Sequence, residues 1–378
     1  MLHQLRSLYE QELFESVVPF WMRHSLDREH GGYFTGLDRD GSLYDSRKYV
    51  WLNGRQVWLL ARLYNSVEHR PEWLEAARLG AEFLRRHAFD EQGRCYFSLT
   101  REGQPAFFQR KPYAGFFVML GFLEYAKASG DQWYAAKGRE LFGRLRGWIA
   151  DPGSLGRPAL SGGVAYNQLA DIYVMCAAAL ELGDDATLDE CLAAIAAHYE
   201  PSRQLLYECA AVDPARRREF PDGRLICAGS IFEISWYLLR ALDRRPTPGV
   251  EEILLKALDG AFEHCWDKEY GGFYYFIDID GRPMLQLESD MKLWWVHAEA
   301  LYALLTVYLR TGDELWLRRL EQVQEWVWRR FPDPVHGEWF GYLHRDGSLS
   351  HSLKGNHYKG CFHVPRALLF SLQALDRA

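Results

Sequence analysis

The sequence predicts an all-α fold, an (α/α)6 barrel in which six helical hairpins close into a toroid and short β-hairpins sit in the rim loops. Three observations predict it. A glycine–aromatic motif recurs along the chain, the segments between its copies carry apolar residues at helical spacing, and no Pro/Ser-rich linker interrupts the 378 residues, so residues 1–378 read as one domain. The motif begins at His30-Gly-Gly-Tyr-Phe34 and runs on to Asp38-Arg-Asp-Gly41. A weaker copy, Gly93-Arg-Cys-Tyr-Phe97, leads to Thr100-Arg-Glu-Gly103. Tyr270-Gly-Gly-Phe-Tyr274 leads to Asp278-Ile-Asp-Gly281, and His336-Gly-Glu-Trp-Phe340 to His344-Arg-Asp-Gly347. Short aromatic stretches around an Asp/Gly turn predict a β-hairpin or an extended loop in each copy. The glycine-rich stretch from Gly153 to Gly163 and the polar stretch from Pro201 to Tyr207 fill the gap, which gives about six units of about sixty residues.

Helices are predicted within the units. Val57, Leu60, Ala61 and Tyr64 form an i, i+3, i+4, i+7 stripe over residues 56–67. Leu74, Ala77 and Phe83 continue the pattern over 73–87, and residues 298–309 and 315–331 repeat it. One helix of each pair lines the ring and the other covers it, which leaves a funnel at the centre.

Composition narrows the function. Lys and Arg number 44 against 51 Asp and Glu, a formal charge of −7 with no basic run, which argues against a nucleic-acid partner. Seven scattered cysteines with no C-x-x-C pair argue against a disulfide framework or a structural zinc site. No apolar run is long enough to span a bilayer, and residues 3–20 lack the pattern of a signal peptide, so a cytoplasmic protein is expected. Aromatic residues reach 15%, and rings that pack on the C–H face of a pyranose suit a sugar site, although most of these rings must be core.

Four stretches could carry chemistry. In residues 286–300, Glu288, Lys292, Trp295 and Glu299 share one face if the segment is helical, and carboxylates, an ammonium and an indole together suit a hydroxylated ligand. The plainer reading is a surface Glu–Lys pair beside one core Trp. His297 points to another face and is expected to pack. In Lys354-Gly-Asn-His-Tyr-Lys-Gly-Cys-Phe-His363-Val-Pro-Arg366, Pro365 suits the first turn of a last helix spanning 366–375. That places His363 at the positive helix end, which keeps an imidazole neutral and usable as a base, or else satisfies a loop. In Tyr49-Val-Trp-Leu-Asn-Gly-Arg55-Gln-Val-Trp58, Arg55 could hold an oxygen-rich ligand or stack on Trp58. Ser230-x-x-Glu233, on its own terms, is a capping box that opens a helix. Nucleophile elbows, Walker loops, H-E-x-x-H and dinucleotide fingerprints are absent.

At these residues the chain resembles the N-acylglucosamine 2-epimerase family, over nearly its whole length and most densely at 30–34, 48–58, 286–299 and 338–366. The resemblance implies an (α/α)6 barrel and sugar chemistry at carbon 2: ring opening, proton removal beside the aldehyde, an enediol-like intermediate and return of the proton. It implies that Arg55 binds substrate oxygens and the oxyanion. Glu299 would orient a histidine or bind a hydroxyl, His363 would be the second family histidine and principal base, and Glu233 would be the Glu that follows the first. Trp51, Lys292, Trp295, Ser230, Arg224 and Tyr113 are the expected sugar contacts. No cofactor is required and no metal is expected. Some relatives respond to ATP as an activator, for which the sequence offers no nucleotide motif, and a homodimer is expected. The chain departs from the family pattern, approximately Asn-Pro-Gly-His-x-x-Glu, at Cys227-Ala-Gly-Ser230-Ile-Phe-Glu233, so the first histidine is Ser230. Gly115 stands where some members carry an acid. Three readings therefore stand at this point: a sugar epimerase or isomerase, a sugar-binding relative without turnover, and a hydrolase with Glu233 and Glu299 as paired carboxylates.

Overall fold

The computed structural model describes residues 2–157 and 163–377. The chain opens with α1 (Leu2–Gln11), a wide π-helical stretch at Glu12–Val17, and α2 (Val18–His24). Five pairs follow: α3 (Val50–Ser66) and α4 (Pro71–His87), α5 (Tyr113–Ser129) and α6 (Gln132–Ala150), α7 (Leu169–Leu182) and α8 (Asp185–Ala194), α9 (Ala228–Arg244) and α10 (Val250–Cys265), and α11 (Trp294–Thr311) and α12 (Glu314–Trp328). Helix α13 (His363–Leu375) ends the chain. From α3 onward the odd-numbered helices form the inner ring, and each packs on the next. Helix α13 is covered by α1. The sixth hairpin is thus assembled from the two ends of the chain rather than from one sixty-residue unit. Edge-to-face contacts of Trp58 on α3 with Phe362 and Phe370 close the ring. Among the described residues no helix is long and apolar enough to cross a membrane.

The two ends of the ring differ for a local reason. Three inner-to-outer turns are made by a Gly-Asp pair: Gly130-Asp131, Gly183-Asp184 and Gly312-Asp313. The glycine takes the left-handed conformation that ends the inner helix, with φ of 75°, 73° and 68°. The next residue caps the outer helix, its carboxylate accepting from the amide of Trp133, Thr187 or Leu315. Two residues thus stop one helix and start the next, so this end of the ring is tight. The return connections are long and form the rim of the funnel. Short strands there lead into inner helices and pair with the following unit, as Lys48–Tyr49 does with Ser98–Leu99, Leu225–Cys227 with Phe276–Asp278, and Lys292–Leu293 with Tyr342–Leu343.

The recurring motif has a physical purpose. Asp27, Asp267 and Asp333 each open a tight turn, and each is buried and paired with a buried lysine and a part-exposed arginine. The lysines are Lys48, Lys292 and Lys354, at 2.8, 3.0 and 3.0 Å. The arginines are Arg101, Arg345 and Arg39, at 3.0, 3.0 and 2.8 Å. Burial opposes ionisation of each aspartate, yet the hydrogen bonds from its two cations and a turn amide hold it well below the usual carboxylate range. Hairpins follow the turns at Gly36–Leu37 with Leu43–Asp45 and at Tyr342–Leu343 with Leu349–His351. The copy at Tyr270 differs, because its strand Phe276–Asp278 pairs with Leu225–Cys227 rather than folding on itself. The weaker copy at Gly93 keeps the hairpin, Ser98–Leu99 with Pro105–Phe107, and ties Asp90 to Arg94 without a lysine. Part of the expected glycine-rich stretch, 158–162, lies outside the described residues.

Candidate active site

The centre of the ring opens at the rim into a cavity of about 570 Å³. Trp51 and Arg55 from α3, Tyr173 from α7, Ser230 and Glu233 from α9, Trp295 from α11 and His363 from α13 line it. Rim residues that include Tyr275, Glu288, Asn356 and Tyr358 complete the wall.

His363 opens α13, and its Nδ1 lies 2.7 Å from Glu299 Oε1. Glu299 is fixed on every side. Oε1 also accepts from Arg366 Nη2 at 2.6 Å, and Oε2 accepts from Trp236 Nε1 at 2.8 Å. Arg366 donates further to Glu233 Oε1 at 2.6 Å and to the Tyr237 hydroxyl at 3.1 Å. The carboxylate therefore accepts a hydrogen bond from Nδ1–H, and Nε2, with no hydrogen bond among the described residues, is left for the cavity. Burial first, then the charges of Arg55 and Arg366, push His363 well below its ordinary value, with Glu233 opposing. At neutral pH the ring is an uncharged base.

Arg55 is held by rings instead of acids. Its guanidinium carbon lies 3.9 Å from the Phe117 ring centroid, 4.4 Å from Trp51 and 4.7 Å from Phe362. Its Nε is buried without a hydrogen-bond partner among the described residues. Burial lowers its pKa to about 10, which leaves it charged at neutral pH. A desolvated cation with unspent donors suits an oxygen that gains negative charge. The Trp295 ring lies 5.6 Å from that of His363. A side chain at Gly229 would strike this indole, with a Cβ 2.5 Å from its ring atoms, so glycine before Ser230 is what lets the ring lie there.

Several expectations need correction. Lys292 does not line the cavity and is not helical. It lies in the strand before α11, fully buried as the cation of the Asp267 clamp, the repeat counterpart of Lys48 and Lys354. Glu288 reaches the cavity from a turn rather than from a helix face shared with Trp295 and Glu299. Arg224 pairs with Asp278 at 2.9 Å and donates to the carbonyls of Arg218 and Phe220, outside the cavity lining. Tyr113 lines a neighbouring cavity of about 420 Å³, with its hydroxyl on Gln168 and Asp171 at 3.0 and 3.1 Å. Ser230 and Glu233 form no capping box. Cys227 is the N-cap of α9, and Glu233 faces Arg366. Gly115 points toward Trp148 of the outer layer, since a Cβ there would lie 3.0 Å from that ring. Helix α13 begins at His363, three residues before the expected start. His297 packs as expected, with both ring nitrogens bonded to backbone at Leu293 and Phe273.

Arg366 is the main site residue that the sequence reading left unassigned. Its signal was present, since it stands three residues after His363 on the same helical face. Glu233, Glu299 and His363 offer ligand atoms within 4.8 Å of one another, but Arg366 already bridges the two carboxylates and supplies the positive charge there.

With this geometry in place, comparison with known proteins fixes the kinship. The family described as N-acylglucosamine 2-epimerase (GlcNAc 2-epimerase) matches residues 32–155 and 190–364. The N-acylglucosamine 2-epimerase of Mus musculus is 41% identical over 97% of this chain and 90% of its own length, and that of Homo sapiens 40% over 95% and 87%. A cellobiose 2-epimerase of Bacteroides fragilis is 25% identical over 92% of this chain and 93% of its own. Among solved structures, a D-mannose isomerase superposes with a TM-score of 0.83 at 19% identity over 97% of each chain, and shares the barrel fold. The chain belongs to the N-acylglucosamine 2-epimerase family of carbohydrate epimerases.

Proposed function

We propose that this protein interconverts N-acylhexosamines epimeric at carbon 2, with His363 as the principal base. The observation that carries the proposal is the chain Arg366–Glu299–His363, which fixes one imidazole nitrogen on a buried carboxylate and turns the other toward the cavity. In the open-chain sugar the proton on carbon 2 is acidified by the adjacent aldehyde. His363 Nε2 removes it, the C–H electron pair becomes the double bond between carbons 1 and 2, and negative charge gathers on the carbonyl oxygen. Arg55 meets that charge without reorganising, because aromatic rings already hold it. Glu299 stabilises the imidazolium that forms. The Trp51 and Trp295 rings offer apolar faces to the sugar's C–H surface. The choice of an N-acylated sugar is supported by 40–41% identity to N-acylglucosamine 2-epimerases, against 24–25% to the cellobiose enzymes of Bacteroides fragilis and Ruminococcus albus.

The test is uptake of deuterium at carbon 2 from heavy water, screened over N-acetylmannosamine, N-acetylglucosamine, mannose and cellobiose. Uptake into the N-acetylated pair that disappears in His363→Ala is expected. Tight sugar binding without uptake would defeat the proposal.

A further inference from the structure

Inverting carbon 2 takes an acid on the face away from the base, and the place for a second imidazole holds Ser230. A lone hydroxyl has far too high a pKa to carry a proton at neutral pH. Near it, however, lies a carboxyl, that of Glu208, with no hydrogen-bond or ion-pair partner among the described residues. Glu208 sits at a bend just before the short rim strand Cys209–Ala211, with its backbone clamped between the entries to two inner helices. Its amide donates to Leu225 O at 3.0 Å, in the strand entering α9, and its carbonyl accepts from Leu169 N at 2.8 Å, at the start of α7. Its Oε1 is buried with no hydrogen-bond partner, and no cation pairs with the side chain among the described residues. A carboxyl kept for structure is given a cation, as Asp27, Asp267 and Asp333 are, since burying one bare costs several kcal/mol, roughly. Glu208 is half-buried and does not itself line the cavity. The Ser230 hydroxyl lies near enough to the Glu208 carboxyl to oppose its upward shift, though no hydrogen bond joins the two in the resting structure, and of Glu208, Cys227 and Ser230 only Ser230 lines the cavity.

We propose that Ser230 and Glu208 form a proton relay, in which the Ser230 hydroxyl exchanges a proton with carbon 2 across the cavity from His363 and the Glu208 carboxyl behind it supplies and recovers that proton. After His363 has taken the first proton, the enediolate electron pair returns to carbon 2 and forms a bond to the Ser230 hydroxyl proton. The serine oxygen takes the Glu208 carboxyl proton in the same motion. One proton leaves Glu208, one arrives on His363, no electrons change hands, and exchange with water resets both. Burial pushes the Glu208 carboxyl up to about 7, the Ser230 hydroxyl opposing and the charge of Glu233 adding, so both protonation states are populated at neutral pH. Cys227 is no rival carrier, because burial holds its thiol well above the ordinary range. Glu208 is a positioning and proton-supplying residue that acts through Ser230.

The relay rests on the proposed epimerase reading, and the experiment separates the two. N-acetylmannosamine is incubated in heavy water, and deuterium at carbon 2 is measured in both the recovered sugar and its epimer. In Glu208→Gln the ratio of exchange without inversion to inversion is expected to rise at least tenfold, and Glu208→Asp should restore part of the inversion. Adding Ser230→His to Glu208→Gln should recover inversion, since an imidazole carries the proton itself. This rescue also excludes misfolding as the cause. Exchange with an unaltered ratio in Glu208→Gln would overturn the relay alone. Absence of exchange in the unaltered protein would overturn the epimerase reading, and the relay with it.

Discussion

His363 and Ser230 occupy corresponding places, each in the first turn of an inner helix with a charged residue three positions later, yet their surroundings differ. His363 is backed by Glu299, Arg366 and Trp236 in a closed network. Ser230 is backed by Glu208, which has no cation partner among the described residues, and by an inert thiol. The two +3 residues, Arg366 and Glu233, meet each other at 2.6 Å and tie the halves together. The rim repeats the contrast. The three aspartate clamps hold the entries to α3, α11 and the loop before α13, which carry Arg55, Glu299 and His363. The entry to α9 has the Arg224–Asp278 pair instead, at 2.9 Å. One half is thus preorganised for proton removal, and the other supports a group that must change its protonation state.

The comparison makes graded predictions. The largest concerns the base itself. His363→Ala should lower deuterium uptake at carbon 2 by about 10³-fold, within the range for losing a general base. Next, Glu299→Gln should lower kcat by about 10²-fold with little change in KM, because the imidazolium loses its counter-charge while the sugar contacts stay. An equal rise in KM would show that Glu299 binds sugar instead. Arg55→Lys should cost roughly 10- to 10²-fold in kcat, since an ammonium cannot fill the planar slot between Phe117, Trp51 and Phe362.

How much of this was legible in the sequence follows from the kind of evidence each residue left. Arg55, Glu233, Glu299 and His363 stand inside distinctive local strings on inner helices, and all four meet at the cavity or directly behind it. Lys292 was misplaced because a helical period was extended back through residues 288–293, where the chain is a turn and a strand. The same residue was legible in another way, as the lysine that accompanies each Asp-containing turn. Arg224 and Tyr113 are polar residues near the site in sequence whose partners, Asp278 and Asp171, lie on other units. Glu208 left no local signal, because its meaning depends on a serine 22 positions later and on the absence of any cation nearby. The split sixth hairpin was hidden for a similar reason, since its two pieces lie at opposite ends of the chain.

The correction of Lys292 gives a further prediction. Lys292→Met should destabilise the protein by about 3 kcal/mol, the scale for leaving a buried charge without its partner, with Arg345 still pairing Asp267. The activity of the molecules that remain folded should change by less than about threefold. A hundredfold loss of kcat in a protein of unaltered melting temperature would return Lys292 to the site.

The smallest effect distinguishes the two halves by pH. Asp27, Asp267 and Asp333 are held well below the usual carboxylate range, so each favours the folded state above the pKa of the unfolded chain, about 4, and loses that contribution as the pH falls below it. Each contributes on the order of 2 kcal/mol on this linkage, and none of it is lost between pH 7 and 5. The clamps should therefore cost no thermal stability above about pH 5 and cause a steep fall below it, whereas the buried neutral imidazoles of His363 and His297 add a shallower loss that begins near the unfolded value of about 6.5. Asp267→Asn should melt lower at neutral pH but show a shallower acid slope, because one of the three titrating groups is gone. The acid loss should begin at the rim above His363, whose half holds all three clamps, and proteolytic nicking at pH 3.5 should fall in the loops around residues 280–291 and 345–360 before it reaches the entry to α9. Nicking that starts beside Arg224 would show that the clamps are not what distinguishes the two sides.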